Sequence, residues 1–279
     1  MTPPSICPRR LVGLIPAAGR ATRISPLPCS KEILPLGLQA DASGGKVTPK
    51  AVSQYLLELM RAGGAREVFF IVRSGKGDIA DYYGDGSRLG LNLGYLQMGE
   101  PWGPPFTLAQ AAPFVADATV LVGFPDILIQ PADAYARLLA RQAATGADVV
   151  LGLFTARASD GLDIVDTTPD GRVTRVTPKE DKPPRQDGDR GWMLAVWGPR
   201  FTAFLTAETR RLATLAREGA FGPAPEWPVG ALVAAGMAAG LAVDSVHFPD
   251  GRFLDVGTSA GLIAASRFPG VWNGEGPAP

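Results

Sequence analysis

The chain has 279 residues, 46% hydrophobic and 19% charged, with 27 basic side chains against 27 acidic ones. This is enough for a sizeable core in one large α/β domain or two small ones, and the composition is that of an ordinary globular protein. No apolar run reaches the roughly 18 residues of a membrane span, MTPPSICPRR lacks the apolar centre of a secretory signal, and Cys7 and Cys29 are too few for a disulfide framework and have no metal-ligand spacing.

These exclusions lead to the expectation of a cytoplasmic protein with no membrane partner. The balanced charge is unevenly spread: residues 1–76 hold 11 Lys and Arg against 4 Asp and Glu, and the rest hold 16 against 23. No dense basic cluster with interleaved aromatics is present, so nucleic acid is not expected as a partner. A basic front half suits a small, highly charged ligand; it also suits chance.

In chain order, LVGLIPA (11–17) reads as a buried strand. It runs into IPAAGRATRISPLPCSKEILPL (15–36), where small residues precede Arg20, Arg23 and Lys31. Two readings suit this stretch. One is a surface turn with solvated charges. The other is a cradle whose backbone N–H groups approach polyanionic phosphate, with a following helix N-terminus adding to it. In the second reading Arg23 supplies a planar fork and Lys31 a point charge. Neither G-x-x-x-x-G-K-[ST] nor G-x-G-x-x-G occurs, which argues against a P-loop and against a nicotinamide-dependent oxidoreductase.

TPKAVSQYLLELMRAGG is predicted as a helix capped by Thr48, with Pro49 in its first turn and Gly63–Gly64 at its end. Its apolar residues Ala51, Val52, Tyr55, Leu56, Leu59 and Met60 share one face. REVFFIV and ATVLVGF (118–124) read as strands, and ADAYARLLARQAAT as a helix leading into the strand ADVVLGLFT. Strands alternating with helices imply βαβ units and a parallel sheet, whose ligands lie beyond the carboxyl ends of the strands. The cradle and Asp126 both sit at such ends.

After about residue 156 the pattern changes. LDIVDTTPDGRVTRVTPKEDKP has short β-like pieces around a Pro-Asp-Gly turn, and GWMLAVWGPRF is a further strand. Residues 200–217 and 229–239 read as helices, and LAVDSVHFPDGRFLDVGT (241–258) as a hairpin.

The opening stretch resembles the signature of the sugar-1-phosphate nucleotidyltransferases, which include the glucose-1-phosphate thymidylyl- and uridylyltransferases. Ala18, Gly19, Thr22, Arg23, Pro26, Lys31, Leu34 and Pro35 fit its pattern. Further segments agree in order: YGDGSRLGLNLGYLQ (83–97), TLAQA (107–111), LVGFPDIL (121–128), EDKP (180–183) and FLDVGTSAGL (253–262). The resemblance covers most of residues 11–265.

It implies a Rossmann-like, mixed but mostly parallel sheet flanked by helices, with a small β-rich sugar-binding part. One domain is expected over 1–279, with about 10–156 holding nucleotide and about 157–265 holding sugar phosphate. The implied reaction joins a nucleoside triphosphate, dTTP or UTP first, to a sugar-1-phosphate, glucose-1-phosphate first, and releases pyrophosphate. Another base, a non-sugar phosphate, or a non-catalytic homologue that senses nucleotide sugar are the alternatives. The resemblance leaves homo-oligomerisation open.

Roles follow residue by residue. Magnesium falls to Asp126 and Asp255, since that ion takes one or two carboxylates plus phosphate oxygens and water; apart from the resemblance, they read as a turn residue and a cap. Arg23 and Lys31 face the triphosphate, with Ala18, Gly19, Arg20 and Thr22 beside them. Lys182 takes the sugar-1-phosphate and Asp181 the sugar hydroxyls, although KEDKPPRQDGDR also reads as a solvated charged turn. Gln97 and Thr107 face the base. His247, the one histidine, is assigned no chemistry.

The departures are Ala21 at a glycine position, Thr107 at another, and Asp163 and Leu194 where glycines would line the sugar site. MGEPWGPPF adds residues before TLAQA.

Overall fold

The computed structural model describes residues 9–40, 47–99, 102–157, 160–181, 184, 186–221 and 226–267. The chain begins with β1 (Leu11–Pro16), β2 (Pro35–Ala40), β3 (Val47–Ala51), α1 (Val52–Ala62), β4 (Glu67–Val72) and α2 (Asp78–Tyr83). Next come β5 (Asn92–Gln97), α3 (Pro104–Ala109), α4 (Ala112–Val115), β6 (Thr119–Gly123), β7 (Ile127–Gln130), α5 (Ala134–Thr145) and β8 (Val149–Thr155). The last part holds β9 (Ile164–Thr167), β10 (Val173–Thr177), β11 (Arg190–Trp197), α6 (Pro199–Arg217), α7 (Val229–Ala238), β12 (Val243–Phe248), β13 (Arg252–Asp255) and α8 (Ser259–Arg267).

The main sheet is mixed and mostly parallel. β5, β4, β1 and β6 run side by side in parallel, as do β8 and β12. Between these groups lies β11, antiparallel to both β6 and β8. Where β6 ends, β9 takes up the first residues of β11 through Gly191 and Ile164, and β10 pairs with β9. That hairpin is the small β-rich part, closed by the Pro-Asp-Gly turn.

Side-chain alternation divides the core between the two faces of the sheet. Val12 and Leu14 of β1 and Val120 and Val122 of β6 pack on one face with α3, α6 and α7 residues. Ile15 and Leu121 turn to the other, against Leu56 and Met60 of α1 and Leu138 of α5. A third cluster, Leu36, Val52, Leu128, Val256 and Ala265, lies beneath the pairing of β7 with β13.

Two expectations are corrected. The helix starts at Val52, because Thr48–Ala51 belongs to β3, paired antiparallel with β2. The proline ring at Pro49 disfavours helical backbone at Thr48, and Ala51 holds extended backbone as the helix cap. Residues 241–258 do not form a hairpin: β12 joins the main sheet beside β8, while β13 pairs with β7. Strong apolar burial draws each strand to a different partner; Val243 and Phe248 are buried in the main sheet.

Candidate active site

The carboxyl ends of β1, β4, β5 and β6 lie at one edge of the sheet, and the candidate residues Arg23, Lys31, Gln97 and Asp126 stand on or just beyond them. Leaving β1, the amide of Ala17 still bonds to Ile71 O at 2.8 Å. Beyond it, the backbone N–H groups of Ala18 through Arg23 find no acceptor among the described residues. A Cβ added to Gly19 would meet nothing within 4 Å, so the loop opens outward there. Ala21 is left-handed, φ 56°. A run of undonated amides around a left-handed residue has a form that can take an anion.

The expected helix N-terminus is missing: a short turn at 22–24 and a three-residue 3-10 turn, Lys31–Ile33, follow instead. The amides alone form the cradle. Arg20 and Thr22 are exposed at its rim.

Asp126 and Asp255 lie far apart in sequence, and a ladder joins them. Asp255 ends β13 opposite Ile127 of β7, and the amide of Val256 bonds to Asp126 O at 2.8 Å. Gly257 lies between the two carboxylates. A Cβ there would lie 2.3 Å from Asp126 Oδ2, 2.9 Å from Asp255 Oδ1 and 3.1 Å from an Arg23 guanidinium nitrogen. The two acids thus face each other across the space one methyl group would fill, a space that only glycine leaves open. The Gly257 amide donates to Asp255 Oδ1 at 2.8 Å and orients that carboxylate.

Two cations complete the cluster. Lys31 Nζ is 2.5 Å from Asp126 Oδ2, with both side chains largely buried, and Arg23 reaches Asp255 Oδ2 at 3.2 Å from a more exposed position. Among the described residues no three acidic, histidine or cysteine side chains gather as a metal cage. Two hard carboxylates over an open floor still fit magnesium, which completes its shell with phosphate oxygens and water.

Gln97 is exposed at the end of β5, paired with Val72 of β4. Thr107 is buried within α3; its hydroxyl donates to Gly103 O at 3.3 Å and touches Met98 Sδ at 3.9 Å. The inserted MGEPWGPPF stretch ties α3 to the segment before α7, with the Trp227 amide bonded to Trp102 O at 3.1 Å and Trp102 edge-on to Phe106.

Leu194 does not line a ligand site: it is fully buried in β11, over Gly152 of β8. Asp163 holds local structure, accepting from Trp192 Nε1 and from the Lys179 amide, each at 2.9 Å. Asp181 is exposed in the 3-10 turn Lys179–Asp181, and Lys182 lies outside the described residues. His247 lies in β12, 3.3 Å from Thr155 Oγ1.

Sequence reasoning left out Glu32, Lys76 and Asp78, which the structure places beside Lys31 through the Glu32–Lys76 ion pair and the Ser30–Asp78 bonds. Lys76 and Asp78 come within six residues of the end of REVFFIV, and that position past a strand's carboxyl end was the available signal.

No family model matches the chain, and no curated protein matches it by sequence. Solved structures do match. A protein from Bacillus anthracis described as a glucose-1-phosphate thymidylyltransferase, in complex with a sucrose, aligns at TM-score 0.75 and 14% identity, covering 93% of this chain and 95% of its own. A UTP-bound UGPase from Acinetobacter baumannii aligns at TM-score 0.71 and 15% identity, over 94% of each chain. UDP-glucose pyrophosphorylase from Acinetobacter baumannii aligns at TM-score 0.69 and 15% identity, again over 94% of each. The chain therefore has the fold of these sugar-phosphate nucleotidyltransferases along nearly its whole length.

Proposed function

We propose that the chain is a nucleotidyltransferase that joins a nucleoside triphosphate to a phosphorylated acceptor and releases pyrophosphate. The observation that carries this reading is the convergence of Asp126, Asp255, Arg23 and Lys31 on the Gly257 floor beside a loop of free amides. Both reactants are anions, and unit charges at 4 Å repel by about 4 kcal/mol at an effective dielectric of 20. The residues present supply what this problem needs.

Amides of Ala18–Arg23, with Arg20 and Thr22 at the rim, take the triphosphate. Arg23 and Lys31 exchange their aspartate partners for phosphate oxygens and face the charge that develops on the leaving pyrophosphate. Asp126 and Asp255 would hold magnesium, which when bound offsets phosphate charge and orients the reactants. The acceptor's phosphate oxygen attacks the α-phosphorus, the bond to the β-phosphate oxygen breaks, and no covalent enzyme intermediate is required. The part from 10 to 156 is assigned to nucleotide, with Gln97 and Thr107 on the base side. The part from 157 to 265 is assigned to the acceptor, with Asp181 and Lys182.

The neighbours' names make dTTP or UTP with glucose-1-phosphate the first pair to try. Asp163 stands where the related pattern has a small residue and is bonded to the Trp192 indole, so acceptors other than glucose-1-phosphate belong in the panel as well. Pyrophosphate release measured over a panel of triphosphates, sugar phosphates and non-sugar phosphates with magnesium tests the proposal. No turnover with any pair would overturn it, and tight nucleotide binding in that case would indicate a sensor.

A further inference from the structure

Residues 30–32 send three side chains to separate places. Lys31 reaches forward to Asp126. Its neighbours turn back into the connection between β4 and α2. Ser30 donates both its amide and its hydroxyl to the Asp78 carboxylate, each at 2.7 Å. Glu32 has a completely buried side chain and accepts a bond from Lys76 Nζ at 2.6 Å, whose own side chain is 7% exposed. Oε2 of Glu32 has no hydrogen-bond partner among the described residues.

A buried ion pair is a weak source of stability, because both charges lose their water. Burial pushes the Glu32 carboxyl up and the Lys76 ammonium down from their ordinary values, with each partner's charge opposing the shift. Partial burial raises Asp78 too, but the two Ser30 bonds outweigh it and hold that carboxyl below its usual range. What the pair contributes here is geometry: it ties Glu32 to the segment that leaves β4. Both anchors, Lys76 and Asp78, follow the carboxyl end of β4, the strand paired with β1. The clamp and the cradle therefore hang from the same edge of the sheet.

We infer that Glu32–Lys76 and Ser30–Asp78 form a two-point clamp that fixes the backbone on either side of Lys31, making Glu32, Lys76 and Asp78 positioning residues for the Lys31 ammonium. The inference rests on the polyphosphate reading above. A lysine on a fixed stem is preorganised toward the phosphate charge, whereas one on a loose turn must be ordered at each encounter.

The test is a double-mutant cycle, with inorganic pyrophosphate plus magnesium as the probe in calorimetric titration. E32L/K76M replaces the buried pair by apolar side chains, an exchange that folded proteins often tolerate. It is expected to keep its melting temperature near that of the unaltered protein and to weaken pyrophosphate binding by roughly tenfold. In a Lys31→Ala background the same two changes should alter binding by less than about twofold, since the clamp acts only through that lysine.

Asp78→Ala, which leaves the buried pair in place, carries the same cycle should E32L/K76M fail to fold. Equal losses in both backgrounds, or none in a folded clamp variant, would overturn the inference while leaving the proposed reaction standing. If the unaltered protein bound neither pyrophosphate nor any triphosphate, the reaction and this inference would fall together.

Discussion

The two ends of the candidate site are built differently. At the phosphate end, three of the charged groups are held by main-chain or buried contacts: Asp255 by the Gly257 amide, Asp126 by its neighbour's place in the β7–β13 ladder, and Lys31 by the bonds of its flanking residues, while Arg20 and Arg23 stand exposed. At the recognition end, positions expected to be small carry larger side chains with local duties. Thr107 bonds within α3, Asp163 holds Trp192, and Leu194 belongs to the core. Phosphate chemistry is common to all substrates of one reaction class, so its geometry tolerates little change. Recognition of base and acceptor can be rebuilt on the same sheet, and here its residues differ most from the related pattern.

The sharpest way to break this comparison is at the two aspartates. Asp126→Asn and Asp255→Asn should each lower turnover at least a hundredfold, roughly 2.7 kcal/mol, in the pyrophosphate-release assay. Near-normal rates in either variant would remove that residue from the metal site. Gly257→Ala comes next, since its methyl would lie 2.3 Å from Asp126 Oδ2 and 2.9 Å from Asp255 Oδ1. It should cost on the order of tenfold or more in turnover by forcing the carboxylates apart. A Gly257→Ala enzyme with unchanged rate and magnesium dependence would show that the floor carries nothing.

The phosphate end is also the more legible in sequence. Asp126 and Asp255 can be paired from the amino-acid order, but only through a family pattern; spacing alone leaves them as a turn residue and a cap. What joins them, the β7–β13 ladder, is hidden there, because VDSVHF and RFLD flank a Pro-Asp-Gly turn that fits a hairpin equally well. Local turn chemistry cannot report that each strand buries more by leaving its neighbour for another partner. The parallel sheet is legible because its strands are continuous apolar runs. The clamp is not, since Glu32 and Lys76 are charged residues that any pattern assigns to the surface, and only the fold places them together inside.

Smaller changes sharpen the contrast from the recognition end. Asp163→Ala leaves the Trp192 indole N–H without its acceptor, which should lower stability by about 1–3 kcal/mol in denaturant unfolding. Its kinetic effect should fall on KM for the acceptor by several-fold and spare KM for the triphosphate. The reverse pattern would mean that the two ends are not separate. On the phosphate side, Ala21 carries left-handed backbone, φ 56°. Left-handed backbone costs an L-residue about 1–2 kcal/mol, partly offset on substitution by the extra freedom glycine gives the unfolded chain. Ala21→Gly should therefore stabilise the protein by roughly 0.5–1 kcal/mol. A loss of stability would show that the turn does not impose that conformation.

The smallest effect expected is one of pH, at His247 in β12. Partial burial, and after it the positive charge of Arg190, hold its imidazole below the ordinary value of 6.5. The folded chain thus binds this proton less readily than the unfolded chain. Stability from this source is fully present above the unfolded value and is lost as pH falls from there through the folded one. His247→Gln keeps a polar group near Thr155 and removes the titration. Melting temperatures taken across that acidic window should decline less steeply in His247→Gln than in the unaltered protein, while turnover at neutral pH stays the same. Parallel declines would show that the carboxylates alone set the acid limb, and a loss of turnover would bring His247 into the chemistry.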